Sequence, residues 1–540
     1  MRILNAEAHR LREERLIAAS SSLALMESAG AAVVEVICAE KLHSGGGVVV
    51  CCGPGNNGGD GWVAARRLYE RIEKSAVLSV YSFGKQGSLS EEALECRRRA
   101  EASGLAVREV VTDSDVKLLS EGLCKPDILV VDALFGSGLN RPITGVLAHV
   151  VDELNRCANL TRAKVVSIDI PSGLAGDSHS IIGPTVKADC TVALVCARVA
   201  HVVRPAAKNI GRLTIESLGP EIELDEEDGQ LLKKLPMLHL TEAEDVKGFQ
   251  SWRSRAPSLD SHKGDFGRVT IAAGSKGKAG AAQLAGLAAL RAGAGLVTIV
   301  GPESCAEEIS RVPECMTLGL PDRDGIVSGV GLDVVDSVRH DVIAVGPGLG
   351  VGAGPKALLE KMLGFVDTPL VLDADALTVL SRDGGFSMLD GTSRVSPVIV
   401  TPHPGEMSRL TGKTVEQVQA NRLSIASEFA ISRSVYVVLK GGQTVIASPD
   451  GDIFINSTGN PGMATGGSGD VLTGLLVGSL GREVAQGDGV EIQWKRVLRD
   501  VVYLHGYAGD LAAKKFGQRG LIASDIADNF GQAVCKHGGL

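Results

Sequence analysis

Apolar runs alternate with helical stretches along two long parts of the chain. In the first part the runs are VVVCC, SAVLSVYSF, DILVVDAL, KVVSIDI and DCTVALV, beginning at Val48. They are continuously apolar instead of alternating, which is typical of parallel strands that helices cover on both faces. Gly, Asp or Pro turns end the first four runs, and LALMESAGAAVVEVICAE before them has helical spacing. The pattern predicts a parallel α/β domain.

A second series of the same kind follows Pro236. Its strand-like runs are GRVTIAAG, GLVTIVG, DVIAVGPG, PLVLDAD, PVIVTPH, VYVVLKGG and TVIASPDG, with long helical stretches such as AGAAQLAGLAALRAGAG between several of them. The segment between the two series is acidic and weakly patterned. We therefore predict an α/β fold with two doubly wound domains, residues 1–220 and residues 236–540, joined by an acidic linker at 221–235. Ligands of such sheets bind at the carboxyl ends of the strands.

Composition is consistent with two globular domains and argues against nucleic-acid binding. A chain of 540 residues is longer than one hydrophobic core usually supports. Hydrophobic residues at 44% and charged residues at 22% are typical of a soluble globular protein. The net charge of −9 and the aromatic content of 3% argue against a nucleic-acid partner, because they indicate neither a basic surface nor stacking platforms.

The cysteines and the N-terminal segment favour a cytoplasmic protein. Eleven scattered cysteines include no C-x-x-C pair, so reduced thiols are favoured over a zinc site or a disulfide framework. The segment MRILNAEAHRLREERL lacks the apolar core of a signal peptide, and no apolar run is expected to span a membrane. We expect a cytoplasmic chain with no membrane partner.

The stretch CCGPGNNGGDGW at 51–62 links a strand to a helix through a glycine-rich turn. Gly53 to Gly58 fit the dinucleotide fingerprint G-x-G-x-x-G, although a tight turn without a ligand has the same pattern. A dehydrogenase usually carries an acidic residue at the end of the next strand, for the ribose hydroxyls. Here that strand ends in Tyr81, Ser82 and Phe83, so an NAD-dependent dehydrogenase is disfavoured.

Oxygen-bearing side chains follow three strands of the first domain. They are Asn56, Asn57 and Asp60 after the first strand, Asp132 in VVDALFGSGLNR, and Asp169 with Ser172 in SIDIPSG. Each Asp taken alone is typical of a helix cap or a turn. Together, at one edge of a parallel sheet, they indicate a site, and hard oxygen ligands suit an alkali or alkaline-earth cation.

Four linked motifs in the first domain carry a family resemblance. LMESAG (25–30), GPGNNGGDG (53–61), VDALFGSGLNR (131–141) and SIDIPSG (167–173) resemble the NAD(P)H-hydrate epimerase family, across about residues 1–220. The resemblance implies a Rossmann-like domain, Asp169 as an acid–base group, and a potassium ion held by Asn57, Asp132 and Ser172. The implied substrate contacts are Asn56, Asn57, Gly58, Gly59 and Asp60, together with Gly136, Ser137, Gly138, Leu139, Asn140 and Arg141.

One departure from that family lies after the last strand of the domain. Family members usually carry a lysine in a Pro-Lys-Pro-Gly-like stretch, whereas this chain reads VALVCARVAHVVRPAAKNIG. Arg198, Arg204 and Lys208 are the candidates for the matching position. The domain could therefore be an active epimerase or a binding module without catalysis.

The stretch NSTGNPGMATGGSGDVLTGLLVG at 456–478 is the most informative in the second domain. Its glycines precede an apolar helix, so backbone N–H groups and the helix N-terminus can hold a phosphate. Asp470 at the helix start is either a cap or, as in ribokinase-type folds, the base that takes a proton from a substrate hydroxyl. Upstream, VVLKGGQT supplies Lys440, and TPHPGEMSRLTG supplies His403, Glu406 and Arg409. A lone histidine is more often structural, but here it stands within an ordered set of motifs.

The second domain resembles the NAD(P)H-hydrate dehydratase family, which has a ribokinase-like fold. HKGDFG, GAAQLAGLAALRAGAGLVT, PECM, GPGLG, LDADAL, HPGEM, KGGQT and NPGMATGGSGD match in order across residues 235–540. The resemblance implies that Asp470 is catalytic and that the hydrate contacts Gly348, His403, Pro404, Gly405, Glu406, Met407, Ser408 and Arg409. It implies nucleotide contacts from Lys440, Gly441, Gly442, Gln443 and Thr444, and from Asn460, Pro461, Gly462, Met463, Ala464, Thr465, Gly466, Gly467, Ser468 and Gly469.

These resemblances together predict a nicotinamide nucleotide repair enzyme with two activities. The first domain would interconvert the R and S forms of NAD(P)H hydrate, and the second would dehydrate the S form with Mg²⁺ and a phosphoryl donor. Prokaryotic family members with both domains fused use ADP and the separate eukaryotic enzyme uses ATP, so we expect ADP. We also expect a homo-oligomer. The alternative is a ribokinase-type small-molecule kinase whose N-terminal nucleotide-binding module lacks catalysis.

Overall fold

The chain divides into two compact units, residues 2–235 and residues 236–540 with Met1. The computed structural model describes residues 1–42, 47–71, 77–84, 87, 89–123, 125–218, 237–249, 260–382, 387–390, 394–487 and 492–537. The acidic linker predicted at 221–235 lies outside the described residues. Each unit is an α/β layered structure, so the predicted fold class is confirmed.

The first unit is built on a parallel sheet. After the two-residue strand Arg2–Ile3 (β1), which is not part of this sheet, the strands of the sheet are Val48–Cys52 (β2), Leu78–Ser82 (β3), Val107–Glu109 (β4), Leu129–Ala133 (β5), Lys164–Ile168 (β6), Cys190–Leu194 (β7) and Arg212–Glu216 (β8). The sheet has the order β4-β3-β2-β5-β6-β7-β8, with parallel pairing throughout. The chain changes direction across the sheet between β2 and β5, which makes the crevice after these strands the expected ligand site.

Helices cover both faces of this sheet. They are Ala6–Ala19, Ser22–Ala39, Asn56–Arg71, Glu91–Ala102, Asp113–Leu123, Val146–Thr161 and Val199–Val202, with a 3₁₀ turn at Ala206–Asn209. Val48 and Val50 of β2 pack into the core on one face, whereas Val49 and Cys51 pack into the core on the other. Because successive strand residues point to opposite faces, burial on both sides requires the continuous apolar run seen in the sequence.

Helix Ser22–Ala39 is long and apolar enough to cross a membrane by length and composition, which the sequence analysis did not anticipate. Its residues Met26, Val33 and Ile37 pack in the core of the first unit. Glu27 of the same helix pairs at 2.7 Å with Arg66 of the neighbouring helix Asn56–Arg71. The packing accounts for the apolar composition of this helix.

The second unit contains a larger mixed sheet. Its strands are Leu238–Thr241 (β9), Arg268–Ala272 (β10), Leu296–Pro302 (β11), Met316–Leu320 (β12), Asp322–Arg323 (β13), Ile326–Val327 (β14), Val342–Val345 (β15), Leu370–Leu372 (β16), Val398–Val400 (β17), Tyr436–Leu439 (β18), Val445–Ala447 (β19) and Ile453–Asn456 (β20). The order is β9-β20-β19-β18-β17-β16-β15-β10-β11-β12, and β13 pairs with β14 alone. Pairing is parallel from β12 to β18, and then antiparallel from β18 to β20.

The helices of the second unit pack on both faces of that sheet. They are Ala243–Val246, Ala279–Arg291, Ala306–Ile309, Ala353–Leu363, Ala374–Leu380, Ser387–Asp390, Pro404–Thr411, Val415–Ala420, Arg422–Arg433, Ser468–Ala485, Trp494–Phe516 and Ala523–Lys536, with 3₁₀ turns at Lys263–Phe266, Glu303–Cys305, Leu332–Ser337 and Pro461–Met463. A Cβ added at Gly474 would lie 2.2 Å from the carbonyl oxygen of Ala285, so only glycine permits this approach. Helices Ala279–Arg291 and Ser468–Ala485 therefore pack closely, and their Ala- and Gly-rich composition permits it.

Candidate functional site

A cavity of about 1010 Å³ opens in the first unit at the crevice between β2 and β5. Its walls include Asn56, Asn57 and Asp60 after β2, the loop Leu134–Arg141 after β5, and Asp169, Asp177 and Arg198. All six predicted contacts from Gly136 to Arg141 line it. The N-terminal helix supplies a further wall with His9, Arg10 and Glu13, which no motif had singled out. The size suits a ligand as large as a nucleotide.

Beneath this cavity, Asp132 and Ser172 form a fully buried pair. The Ser172 hydroxyl donates to Asp132 Oδ1 at 2.6 Å, and the Ser172 backbone N–H donates to Oδ2 at 2.9 Å. The Ser167 hydroxyl also donates to Oδ2, at 2.8 Å. Burial raises the pKa of Asp132, and these donated hydrogen bonds oppose the shift. The sequence-predicted ligands Asp132 and Ser172 therefore lie together, with oxygens concentrated at one point.

Asn57, the third predicted ligand, lies in the cavity wall. Its side chain is 8% exposed, and neither amide atom has a hydrogen-bond partner in the described part of the chain. A Cβ added at Gly136 would lie 3.4 Å from Asn57 Cβ and 2.8 Å from Asp169 Oδ2, so Gly136 lies between these two side chains. A buried amide without partners is costly in free energy, which favours a ligand at this position.

Asp169 follows β6 in an unusual backbone conformation. Its φ is +62°, a region that few residues other than glycine adopt, and such strain is often kept at functional sites. The Ser137 backbone N–H donates to Asp169 Oδ2 at 2.6 Å, which holds the carboxylate in the cavity wall. The side chain is thus oriented by the neighbouring loop.

Two further acids share the cavity with Asp169. Burial raises the pKa of Asp60 well above its usual value, and the charges of Asp169 and Glu13 raise it further. Burial also raises the pKa of Glu13, with Asp169 as the next cause. A cavity that holds carboxyl groups with raised pKa values is suited to acid–base chemistry.

Two predicted contacts in the glycine-rich turn, Gly58 and Gly59, lie away from the cavity surface. Gly58 and Gly59 are buried and do not line the cavity, because the helix begins at Asn56 and turns them inward. A Cβ added at Gly58 would lie 1.9 Å from the carbonyl oxygen of Gly53, and one at Gly59 would lie 2.3 Å from Met26 Sδ. These glycines permit close packing at the start of the helix.

Arg198 is the one candidate for the missing lysine that lines the cavity. Its guanidinium is buried, pairs with Asp177 Oδ2 at 2.7 Å and donates to the Ser137 hydroxyl at 3.4 Å. Arg204 and Lys208 are exposed and are not among the cavity residues. The structure thus assigns the cation of this wall to an arginine.

Asp470 lies in the first turn of helix Ser468–Ala485, directly after the glycine-rich stretch. Burial and then the nearby Asp373 carboxylate raise the pKa of Asp470, Lys440 opposes both, and the resulting pKa is about 6. A carboxylate with a pKa near neutrality is well suited to take a proton from a substrate hydroxyl.

A buried ion pair stands beside Asp470. Lys440 Nζ donates to Asp373 Oδ1 at 2.6 Å and lies 3.8 Å from Glu406 Oε2, while the Thr473 hydroxyl donates to Asp373 Oδ2 at 2.8 Å. Burial alone would lower the pKa of Lys440, but the Asp373 and Glu406 carboxylates outweigh it and the net shift is upward. Asp373 was not among the predicted site residues, although LDADAL places it at the carboxyl end of strand β16, the edge at which ligands of parallel sheets bind.

His403 and Glu406 cap helix Pro404–Thr411 reciprocally. His403 Nδ1 accepts from the backbone N–H of Gly405 at 3.0 Å, and Glu406 Oε2 accepts from the His403 N–H at 2.7 Å. Met407, also predicted as a contact, has its side chain fully buried in the core of the unit. Ser408 donates to the Lys413 carbonyl at 2.6 Å, and Arg409 is exposed.

Gly348, another predicted hydrate contact, lies in a turn after β15. Its φ is +60°, and a Cβ there would lie 2.8 Å from the carbonyl oxygen of Lys278. Lys278 Nζ donates to Asp375 at 3.1 Å, and Asp375 is one of the charges that raise the pKa of Asp470. The turn at Gly348 therefore lies near the charged side chains that surround Asp470.

The predicted nucleotide loops are held by polar contacts of their own. Asn460 accepts from the Gly462 N–H at 3.0 Å and donates to Asp510 at 2.9 Å, so its amide orders the loop that precedes Ser468. The buried Arg422 guanidinium donates to the Leu439 and Gln443 carbonyls, at 3.1 and 3.0 Å, and so fixes the loop that carries Lys440. Neither Arg422 nor its contacts were predicted, because they join positions far apart in sequence.

Two family models match the chain, one in each half. Residues 22–200 match the family described as YjeF-related protein N-terminus, and residues 269–531 match the NAD(P)H-hydrate dehydratase family. Both matches fall on the parts that carry the motifs identified in the sequence. They confirm the resemblance on which the functional prediction rests.

Full-length relatives agree with these matches. A bifunctional NAD(P)H-hydrate repair enzyme of Thermofilum pendens is 38% identical over 481 residues, which cover 88% of this chain and 85% of the relative. Those of Moorella thermoacetica and Escherichia coli are 37% and 32% identical, covering 87% of this chain and 84% and 81% of the relatives. The ADP/ATP-dependent NAD(P)H-hydrate dehydratase of Bacillus subtilis, co-crystallised with ATP and Mg²⁺, is 33% identical, with a TM-score of 0.47 over 55% of this chain and 98% of its own. The chain belongs to the family of bifunctional NAD(P)H-hydrate repair enzymes.

Proposed function

We propose that the first unit interconverts R and S NAD(P)H hydrate and that the second unit dehydrates the S form with ADP as phosphoryl donor. The observation that carries the second activity is Asp470, a carboxylate with a pKa near 6 at the start of a helix that follows a glycine-rich loop. The acid-lined cavity around Asp169 supports the first activity.

Dehydration requires a better leaving group than hydroxide. Asp470 takes the proton of the C6 hydroxyl, and the hydroxyl oxygen attacks the terminal phosphoryl group of ADP. AMP departs as the leaving group. The ring nitrogen lone pair then expels phosphate from C6, and loss of a proton from C5 restores the ring double bond. N–H groups at the start of helix Ser468–Ala485 are suited to stabilise the transferring phosphoryl charge.

Mg²⁺ fits this site as an ion held mainly by nucleotide phosphates and water. Across the described ranges, no group of three or more His, Cys, Asp or Glu side chains is placed to hold a metal ion. Mg²⁺ commonly binds through phosphates and keeps several waters, so an all-protein cage is not required. When bound, it supplies positive charge to the phosphoryl groups.

Epimerisation requires loss and return of the C6 hydroxyl. Asp169 gives a proton to the departing hydroxyl and takes one from the water that returns on either face of the ring. A potassium ion would be held by Asn57, Asp132 and Ser172, and the unpartnered amide oxygen of buried Asn57 fits a hard cation. When bound, the ion supplies a fixed positive charge beneath the cavity. A homo-oligomer and a cytoplasmic location stay predictions.

Incubation of the full chain with hydrated NADPH, Mg²⁺ and either ADP or ATP tests the proposal. We expect the absorbance of the reduced nicotinamide to return with ADP and much less with ATP. No return with either donor would contradict the dehydratase assignment. A stable phosphorylated product without recovery of NADPH would instead indicate the small-molecule kinase alternative.

A further inference from the structure

His201 is a buried histidine in direct contact with the backbone of Asp169. It is 3% exposed and lies in the short helix Val199–Val202, which begins directly after Arg198. Its Nε2 lies 2.7 Å from the carbonyl oxygen of Asp169, and its Nδ1 lies 2.8 Å from the backbone nitrogen of Arg198. One imidazole thus joins the backbones of two cavity residues that stand on different segments of the chain.

These two contacts define the protonation of His201. A backbone N–H only donates, so Nδ1 accepts from Arg198 and carries no proton. A carbonyl oxygen only accepts, so Nε2 carries the proton and donates to Asp169. The imidazole is therefore neutral, in agreement with the burial that lowers the pKa of His201. Both ring nitrogens are used, and neither is free to serve as an acid or base.

The segment that His201 holds is strained. Asp169 has a φ of +62°, and its backbone N–H donates to the Val192 carbonyl at 2.8 Å while its own carbonyl accepts from His201. A non-glycine residue in this conformation costs free energy and persists when neighbouring contacts fix it. The direction of the Asp169 carboxylate follows from this backbone, and Ser137 then binds its Oδ2.

The same histidine fixes the start of the segment that carries Arg198, one of the cavity's arginines. The Arg198 guanidinium pairs with Asp177 and reaches the Ser137 hydroxyl, next to the N–H that binds Asp169. The Asp169 carboxylate and the Arg198 guanidinium therefore keep their separation through two short hydrogen bonds to one ring. Rotation of that ring would release both residues at once.

We propose that His201 is a positioning residue for epimerisation, which holds the Asp169 carboxylate and the Arg198 guanidinium in a fixed relation across the cavity. This inference rests on the proposed role of Asp169. A misplacement of a reacting group by about 1 Å can cost about a hundredfold in rate, so loss of the tether is expected to lower kcat more than it raises KM.

Two isosteric substitutions separate the two hydrogen bonds. In His201→Gln the amide reaches the place of Nε2 and can still donate to the Asp169 carbonyl. In His201→Asn the amide reaches only the place of Nδ1 and can still accept from the Arg198 N–H. His179→Gln is the matched control, since His179 is also buried in this unit at 6% exposure and is not a cavity residue.

The experiment measures epimerisation of purified R hydrate by the full chain, without nucleotide, with separation of the two epimers. We expect kcat to fall about tenfold or more in His201→Asn with a small change in KM, a smaller loss in His201→Gln, and no loss in His179→Gln. Asp169→Asn is assayed in parallel, and it should abolish epimerisation. Unfolding midpoints of all variants show whether the unit stays folded.

The outcomes separate the two proposals. If Asp169→Asn retains epimerisation, the proposed role of Asp169 is wrong. If Asp169→Asn is inactive but both His201 variants keep the kcat of the native chain, the positioning role is overturned. Equal losses in His201→Asn, His201→Gln and His179→Gln would indicate a general effect of losing a buried imidazole, which also overturns it.

Discussion

Single residues in the two units have surroundings that suit different steps. Asp470 is half-buried beside Asp373 and Lys440, and burial raises its pKa to about 6. Asp169 instead accepts a backbone N–H from Ser137 at 2.6 Å, in a cavity with two acids whose pKa values burial raises. Each carboxylate is held by its own unit, so their contributions to activity are separable.

Asp470→Asn removes the proposed base and leaves its volume unchanged. We expect dehydration of S hydrate to fall by about 10²–10⁴-fold, the usual contribution of a positioned base, while epimerisation is unchanged. Recovery of NADPH absorbance measures the first activity, and epimer separation measures the second. An equal loss of both activities in a folded variant would contradict the assignment.

The dehydration rate should depend on pH through Asp470. A base acts in its deprotonated form, so kcat/KM for S hydrate should be low below pH 6 and rise with a midpoint near the Asp470 pKa of about 6. Lys440 lowers that pKa, and Lys440→Met should therefore move the midpoint upward as well as weaken activity. A profile that is flat from pH 5 to 8 would show that another group takes the proton.

The sequence identified residues in local motifs and missed those defined by distant partners. Asp470 and Asp169 stand in recognisable stretches, and both lie at sites in the structure. Asp373 is recognised as part of a site only by its hydrogen bond with Lys440, 67 positions away. His201 is recognised only by its hydrogen bond to Asp169, 32 positions away. Such pairs depend on strand order, which a single sequence does not specify.

At the scale of elements, the glycine-rich turn after β2 provides a test of close packing. A Cβ at Gly58 would lie 1.9 Å from the Gly53 carbonyl oxygen, whereas a Cβ at Gly55 would meet nothing within 4 Å. We expect Gly58→Ala to destabilise the first unit by about 1–3 kcal/mol, and Gly55→Ala to change it by less than about 0.5 kcal/mol.

Trp62 offers a reporter for this comparison. It is fully buried in the first unit, and the chain has three tryptophans, so a Trp252→Phe, Trp494→Phe background leaves Trp62 as the single source of tryptophan fluorescence, excited at 295 nm. Denaturant midpoints in that background measure the two substitutions. Equal midpoints for Gly55→Ala and Gly58→Ala would show that the turn relaxes without cost.

Strand positions were easier to predict than helix starts and strand directions. VVVCC is strand Val48–Cys52 as the apolar run indicates, but helix Asn56–Arg71 begins inside the stretch expected to be a turn. A first helical turn rich in Gly and Asn has a composition typical of loops, so the local sequence pattern does not predict that the helix begins there. The antiparallel pairing of β18, β19 and β20 also follows from tertiary contacts instead of local pattern.

At the scale of the whole molecule, the two compact units each contain a complete set of candidate catalytic groups. The sequence predicted two domains because the strand series is interrupted by an acidic, weakly patterned segment. It also predicted which ends of the strands carry chemistry, since the carboxyl ends of parallel strands meet at one edge of a sheet. The N-terminal helix as a cavity wall was not predicted, because its sequence has no apolar face that indicates packing.

Because each unit holds its own site, two inactive full-length variants should complement each other. Asp169→Asn lacks the proposed epimerase group, and Asp470→Asn lacks the proposed dehydratase base. With pure R hydrate, ADP and Mg²⁺, either variant alone should form NADPH only as fast as uncatalysed epimerisation or dehydration allows. A mixture should form NADPH faster than both variants measured separately, because S epimer released by Asp470→Asn diffuses to Asp169→Asn and is dehydrated there. A reaction without protein gives the uncatalysed rate, and a mixture no faster than the two variants measured separately would show that the activities need both groups in one chain.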